Sequence, residues 1–307
     1  MTIRLSLFLL SLVGGCQTPP PPPKEIDGQA ALAYVKTQVG FGPRIPGTDG
    51  HRRTSAWLDS LLRIRADSVV VQSWTHRTRL GDTLPMKNLI ARFNPAATRR
   101  FLFLAHWDTR PVADQDTGAR AKQPIPGAND GGSGVAVLLS MADALKKAPP
   151  TIGVDLLFVD GEDFGVFSEE VDVLIGSKHY AANPVAGPVP EYAVLLDMVG
   201  GKGAVFRKEG YSVTAAPSVV DQVWSTASRL GLSNYFLNET GGSITDDHIP
   251  LQQAGIKAID VIAEFGSGTT FPYWHTTGDT PDKLSAETLA AVGDVMITLI
   301  REAKVVR

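Results

Sequence analysis

The chain has 307 residues and a formal net charge of −3, with 43% hydrophobic and 20% charged residues. These values are typical of one globular α/β domain, and the near-neutral charge provides no electrostatic basis for binding nucleic acid. The single cysteine, Cys16, excludes an internal disulfide bond.

The first 16 residues are interpreted as an export signal. Arg4 places a positive charge near the amino terminus, and residues 5–13 are apolar but too few to cross a bilayer. Small residues then lead into Cys16. The segment resembles a bacterial lipoprotein signal, in which the cysteine becomes lipidated; the alternative is an ordinary secretory signal. Both interpretations predict export, and the first predicts anchoring in the bacterial cell envelope, facing the periplasm or on the outer membrane. Membrane contact is then expected only through the lipid on Cys16, and residues 17–25 form a proline-rich linker.

The remaining residues, 26–307, have no composition break or internal repeat and are predicted to form one catalytic domain. Helices are predicted over residues 29–39, 50–63, 132–147, 218–230 and 286–301. Strands are predicted over residues 68–74, 88–93, 101–105, 154–159, 193–196 and 258–262. Apolar strands that alternate with helices indicate an α/β fold with a mixed, mostly parallel central sheet and helices on both faces. Active sites of such sheets lie beyond the carboxyl ends of the strands.

Acidic or histidine side chains stand at the ends of the predicted strands and in loops beside the predicted helices. A helix cap explains any single carboxylate of this kind, but capping does not explain five such positions, two of them histidines. The residues are His106, Asp130, the Glu162–Asp163 pair, Asp197 and His275.

The types of these side chains indicate zinc chemistry. Histidine nitrogen and carboxylate oxygen suit zinc, and a catalytic zinc has three protein ligands and one open position. An acidic group that is not a ligand must then move protons. The adjacent Glu162 and Asp163 provide both functions, with one carboxylate for the metal and the other as a base.

The same residues match, in order and spacing, the zinc aminopeptidase superfamily. Longer strings resemble one branch of it, the glutaminyl-peptide cyclotransferases, especially bacterial forms related to the animal enzymes. The resemblance covers about residues 30–305. The strings are AHWDTRP at 105–111, LLDMVG at 195–200, DDH at 246–248 and WHT at 274–276.

The resemblance implies a role for each matched residue. One zinc ion is held by Asp130, Asp163 and His275, and Glu162 is the general acid and base. Asp197 and Asp246 complete a hydrogen-bonded network around the substrate. The remaining implied positions are the substrate pocket at Trp274, Trp107 and Phe164, and a second-metal or supporting role for His106 and Asp197.

The reaction implied by the resemblance converts the N-terminal glutamine of a peptide or protein to pyroglutamate with release of ammonia. In that reaction the α-amine attacks the side-chain amide of the same residue, while zinc polarises the amide carbonyl. The alternative is a zinc aminopeptidase, in which water attacks and one or two metals activate it. A binding module without enzymatic activity is a third possibility that an intact ligand set disfavours.

Several positions depart from the animal enzymes. Asp163 stands where they have glutamate, and Asp260 replaces a histidine. Phe164, Phe167 and Ser168 stand in the region where they place a tryptophan in the pocket. The resemblance also implies a cis peptide bond between Asp130 and Gly131, which would direct the Asp130 carboxylate toward the metal.

Overall fold

The computed structural model describes residues 24–303 of the chain. The predicted signal at residues 1–16 and most of the predicted linker lie outside the described residues. The strands are β1 (Ser68–Arg77), β2 (Thr83–Phe93), β3 (Arg100–His106), β4 (Gly153–Val159), β5 (Tyr192–Asp197), β6 (Phe206–Lys208), β7 (Phe236–Thr240) and β8 (Ala258–Ile262). The α-helices are α1 (Gly28–Gly40), α2 (Asp49–Arg63), α3 (Gly132–Lys147), α4 (Ile175–Ala182), α5 (Gly210–Ala215), α6 (Pro217–Arg229), α7 (His248–Gln253) and α8 (Ala286–Glu302). Short 3-10 helices cover Gly118–Lys122, Phe167–Glu169 and Pro281–Lys283.

Six strands form a central sheet in the order β1-β2-β4-β3-β5-β8. Strand β3 pairs in parallel with β4 and β5, and β5 pairs in parallel with β8. Strand β2 is antiparallel to both β1 and β4, while β6 and β7 form a separate parallel pair. The prediction of a mixed, mostly parallel sheet is therefore confirmed.

Every residue of β3, β4 and β5 is buried because helices cover both faces of the sheet. Side chains alternate along each strand, so Phe103 packs in one core cluster and Leu104 in another. The first cluster contains residues of α1, α3 and α8, such as Leu138, and the second contains Tyr180 of α4 and Leu251 of α7. Burial on both faces explains why these strands are continuously apolar.

The start of α3 packs tightly against the carboxyl ends of β3 and β5. A Cβ atom at Gly134 would lie 2.0 Å from the carbonyl oxygen of Leu196 and 2.8 Å from Cβ of Ala105. Glycine at this position lets the helix approach the sheet. The loop that precedes α3 is thereby placed directly beside the strand ends.

The described chain begins at the opposite end of the molecule. The backbone N–H groups of Glu25 and Ile26 donate to Oδ1 of Asp294 at 2.8 and 3.0 Å, and Glu25 pairs with Arg301 at 2.8 Å. Arg301 also donates to the carbonyl of Ala148 at 2.6 Å, just after the last turn of α3. Between residues 24 and 303 there is no helix with the length and apolar character that a bilayer crossing requires.

Candidate metal centre and active site

Three neighbouring strands direct their carboxyl ends to one point. Strand β3 ends at His106, β5 ends at Asp197, and Glu162 and Asp163 follow the end of β4. The loop before α3 adds Asp130, and all five side chains are buried. Because parallel strands end at the same edge of a sheet, residues far apart in sequence meet there.

Asp130, Asp163 and His275, the three predicted zinc ligands, converge and form what we call the metal group. One candidate ligand atom of each lies within 4.8 Å of those of the other two. Nε2 of His275 lies 3.4 Å from Oδ1 of Asp163 and 3.6 Å from Oδ2 of Asp130.

The donor set of the metal group fits a zinc ion. Oδ2 of Asp130 and Oδ2 of Asp163 are buried and have no hydrogen-bond partner within the described part of the chain. Leaving such an oxygen without a partner costs about 1–3 kcal/mol, more for a charged group. Two carboxylates and one imidazole are ligand types of a catalytic zinc with an open fourth position.

Asp114, which sequence analysis did not single out, orients His275. Its Oδ1 lies 3.1 Å from Nδ1 of His275, so Nε2 points toward the two aspartates of the metal group. Arg110 donates to Oδ2 of Asp114 at 2.5 Å and to Oδ1 of Asp163 at 2.8 Å. A carboxylate behind a metal-binding histidine fixes both its tautomer and its ring orientation.

The surrounding carboxylates make this a site for positive charge. Burial alone would lower the pKa of His275, but the carboxylates of Asp163, Asp114 and Asp130 raise that pKa to about 10. The protein environment therefore favours positive charge within the metal group.

His106, Asp130 and Asp197 form a second group of possible ligands that shares Asp130 with the first. Nε2 of His106 lies 3.2 Å from Oδ1 of Asp130 and 3.2 Å from Oδ1 of Asp197. The structure thus brings together the residues for which a second-metal or supporting role was predicted.

Glu162 lies beside both groups without belonging to either. The carboxylate of Asp108 accepts the backbone N–H groups of Glu162 and Asp163 at 3.0 and 3.2 Å, which holds the acidic pair in place. Oε2 of Glu162 lies 3.9 Å from Nδ1 of His106. Burial raises the pKa of Glu162 well above its ordinary range, as expected for a group that must accept and release a proton.

Asp246 faces the same cavity from the segment that precedes α7. Burial, followed by the charges of Asp197 and Asp247, raises the pKa of Asp246 well above its ordinary range. Glu162, Asp197 and Asp246, the predicted catalytic residues, therefore all border one cavity.

This catalytic cavity has a volume of about 80 Å³. Pockets for drug-sized ligands measure about 300–1,000 Å³, so this cavity accommodates only one end of a peptide. Trp274 forms part of its wall. Its indole stacks on the ring of His275 with the ring centroids 3.9 Å apart, and the centroids of the Trp274 and Phe265 rings lie 4.8 Å apart. The other apolar lining residues are Phe167, Met198, Ile244 and Ile262.

Trp107 and Phe164 do not lie where they were predicted. Trp107 is fully buried, stacks on His51 with the ring centroids 4.4 Å apart, and donates from Nε1 to the carbonyl of Lys87 at 3.0 Å. Phe164 packs against a small cluster that includes Met86. Adjacent residues on an extended segment point in opposite directions, so Trp107 turns into the core while His106 faces the site. Phe167, in the 3-10 helix that follows the acidic pair, lines the cavity instead of Phe164.

The predicted cis bond between Asp130 and Gly131 is also wrong, because all peptide bonds described for residues 24–303 are trans. Gly131 instead makes the bend with a φ of 73°. A Cβ atom there would lie 2.8 Å from Cε1 of His106. Glycine thus permits both the left-handed backbone and the close approach of the imidazole.

Comparison with known proteins agrees with this geometry. The family model of peptidase family M28 matches residues 88–300. The glutaminyl cyclase of Porphyromonas gingivalis is 41% identical and superimposes with a TM-score of 0.87, over 91% of this chain and 99% of that chain. A Zn-dependent exopeptidase from Parabacteroides distasonis is 38% identical, with a TM-score of 0.86 over 91% of this chain and 99% of that one.

A curated relative extends the likeness to animals. The glutaminyl-peptide cyclotransferase-like protein of Bos taurus is 26% identical over 288 residues, which cover 84% of this chain and 72% of that protein. The resemblance inferred from the sequence strings is thus confirmed. The chain belongs to peptidase family M28, in the group that contains the glutaminyl cyclases.

Proposed function

We propose that this chain is a zinc-dependent glutaminyl-peptide cyclotransferase. It converts the N-terminal glutamine of peptides to pyroglutamate and releases ammonia. The observation that carries the proposal is the convergence of the metal group with Glu162 and Asp246 in a cavity large enough for a single terminal residue. One zinc ion, held by Asp130, Asp163 and His275, supplies Lewis-acid polarisation of the side-chain amide when bound.

Glu162 moves the proton that the reaction requires. The α-amine nitrogen forms a bond to the amide carbon, and the bond from that carbon to the amide nitrogen breaks. Glu162 accepts the proton lost by the amine and delivers it to the departing nitrogen, which leaves as ammonia. Its buried position and raised pKa suit this exchange.

Asp246 and Asp197 orient the nitrogen atoms of the substrate, and the indole of Trp274 packs against its aliphatic part. The cavity keeps the glutamine folded with its amine over the amide carbon, which removes much of the entropic cost of ring closure. The apolar wall formed by Phe167, Ile244, Ile262 and Phe265 excludes water that would otherwise compete with the amine.

The alternative function is that of a zinc aminopeptidase. The second group, His106, Asp130 and Asp197, favours it because two groups that share an aspartate can hold two metals. Metal analysis bears on the choice, because one zinc ion per chain favours the cyclase and two favour the peptidase.

The decisive experiment incubates purified zinc-loaded protein with a peptide that begins with glutamine. The cyclase releases ammonia and leaves a peptide of the same number of residues, with a blocked amino terminus. The peptidase releases free glutamine and a shortened peptide. Release of the amino acid without ammonia would contradict the proposed function.

We also propose that Cys16 is lipidated and tethers the domain to a bacterial membrane. The position of Glu25 supports this arrangement, because its partner Arg301 contacts the end of α3 that is remote from the metal group. A 16-residue helix such as α3 is about 24 Å long. A tether that leaves from this end keeps the catalytic cavity turned away from the membrane.

Replacement Cys16→Ser tests the anchor. Without the thiol no lipid can be attached, so we expect the variant to leave the membrane fraction or to accumulate with its signal uncleaved. Membrane fractionation and electrophoretic mobility measure this outcome. A variant that stays in the membrane fraction with unchanged mobility would show that Cys16 is not the anchor.

A further inference from the structure

A second cavity of about 300 Å³, which we call the side cleft, adjoins the catalytic cavity. The two cavities share the walls formed by Ile244, Ile262 and Phe265. The side cleft is otherwise bordered by polar and backbone groups, including Arg207, Gly242 and Glu264.

Two chain segments, 241–246 and 262–265, run from the side cleft to the catalytic cavity. Hydrogen bonds fix the first one, because the N–H of Ile244 donates to Oε1 of buried Glu209 at 2.9 Å and Gly241 donates to the carbonyl of Lys208 at 2.8 Å. The second segment, 262–265, is held by the contact between the rings of Phe265 and Trp274, whose centroids lie 4.8 Å apart. These contacts therefore hold the side cleft directly beside the catalytic cavity.

The charge at the side cleft is negative. The ionisable side chains that line it are Arg207, Glu264 and the buried Glu209, so carboxylates exceed guanidinium groups by one. Arg207 pairs with Glu264 and also, at 3.0 Å, with Glu239, which borders a different cavity. Glu264 is 42% exposed, against 28% for Arg207, so its carboxylate is the group more accessible to a ligand.

A peptide bound by its first residue must pass its following residues to a neighbouring surface. The catalytic cavity has room for one terminal residue, and an extended chain advances only about 3.3–3.6 Å per residue. The second and third residues are therefore still beside the shared walls when the first is in place.

Resting on the proposed cyclase function, we propose that the side cleft binds the second and third residues of the substrate and that Glu264 selects basic over acidic side chains there. The substrates that it favours are peptides with glutamine first and lysine or arginine directly after it. Because the charges are partly exposed, the preference is moderate, about three- to five-fold in kcat/KM, and weakens at high salt.

The test compares three tripeptide amides, Gln-Lys-Lys, Gln-Ala-Ala and Gln-Glu-Glu, with ammonia release as the readout. The wild-type protein is expected to prefer the lysine peptide over the glutamate peptide. The ratio of the two kcat/KM values comes from one preparation, so it does not depend on the fraction of protein that is folded or zinc-loaded.

Three variants locate the preference. Glu264→Gln removes the excess charge, so the ratio is expected to fall close to one. Arg207→Gln increases the excess of negative charge, so the ratio of kcat/KM for the lysine peptide to that for the glutamate peptide is expected to rise. The control is Glu191→Gln, because Glu191 pairs with Arg99 in the same way beside a different cavity, and the ratio should stay at the wild-type value.

The outcomes separate this proposal from the one on which it rests. Ammonia release from all three peptides with equal kcat/KM in the wild-type protein would overturn the side cleft as a selective subsite and leave the cyclase function intact. A wild-type preference that neither Glu264→Gln nor Arg207→Gln alters would overturn the assignment to Glu264. Absence of ammonia release from every peptide would overturn the cyclase function and this proposal with it.

Discussion

Buried charges lie at both ends of the same parallel strands, and the protein compensates them in different ways. Near the start of β4, Oδ1 of Asp155 accepts hydrogen bonds from Nε of Arg92 at 3.1 Å and from Nη1 of Arg100 at 2.6 Å. Beyond the end of the same strand, Asp163 keeps one buried oxygen without any hydrogen bond from the described residues, as Asp130 does.

The two ends of these strands differ in their role: the charges near the start of β4 contribute to stability, and those beyond its carboxyl end contribute to function. Asp155 has two arginines as partners, and Arg100 also donates to the carbonyl groups of Asn94 and Pro95 at 3.1 and 3.0 Å. At that end the chain itself supplies the counter-charges of the buried carboxylate, with one positive charge in excess. At the metal group two buried carboxylate oxygens have no hydrogen-bond partner among the described residues, so this end is suited to a bound cation.

The largest effect is expected from Glu162→Gln, which alters the functional end without removing a zinc ligand. The amide cannot carry the proton, so kcat should fall about 10²- to 10⁴-fold while zinc content stays unchanged. Steady-state ammonia release and metal analysis measure the two quantities. Glu169→Gln is the matched control, because Glu169 is an exposed glutamate in the 3-10 helix that follows and pairs with Arg79. Near-normal activity in zinc-loaded Glu162→Gln protein would exclude Glu162 from the mechanism.

Asp155→Asn alters the opposite end of β4, where the carboxylate pairs with two arginines. Loss of the carboxylate leaves two buried arginines without their counter-ion, so the free energy of unfolding should fall by about 3–5 kcal/mol. Denaturant titration measures this change. Zinc content and kcat per folded molecule should stay at wild-type values. The control is Asp59→Asn, which breaks a solvent-accessible pair with Arg63 and should lower the free energy of unfolding by no more than about 0.5 kcal/mol. Loss of zinc from folded Asp155→Asn protein would contradict the separation of the two ends.

Asp114→Asn has a smaller expected effect, on the affinity for zinc. The side chain orients His275 but is not itself a ligand in the metal group, and such supporting residues typically contribute about 10- to 100-fold in metal affinity. Competition with a chelator measures the affinity. Activity should return at saturating zinc, since the ligands and Glu162 are unchanged. An unaltered zinc affinity would show that Asp114 does not position His275.

The sequence by itself predicted the central architecture. Helix α3 and strand β8 have the predicted bounds. Strands β1 and β2 extend beyond their predicted bounds into residues whose burial alternates, between exposed and partly exposed in β1 and mainly between exposed and buried in β2. Apolar periodicity reports which side chains are buried, and that information suffices for long elements. The short helices α4, α5 and α7 and the small β6–β7 sheet were not predicted, because an element of this length contains too few residues to establish a period.

The chemical identity of the site was also present in the sequence, since strand ends followed by His106, Glu162 and Asp197 indicate a metal site before any contact is known. The partners within that site were decided by the tertiary structure. Asp114 reaches His275 across 161 positions, and Phe265 reaches the cavity only through the fold of the segment after β8. Trp107 turned into the core although its neighbour His106 faces the site. The type of a residue determines what chemistry it can perform, whereas its direction and its neighbours depend on packing between segments that are distant in the chain.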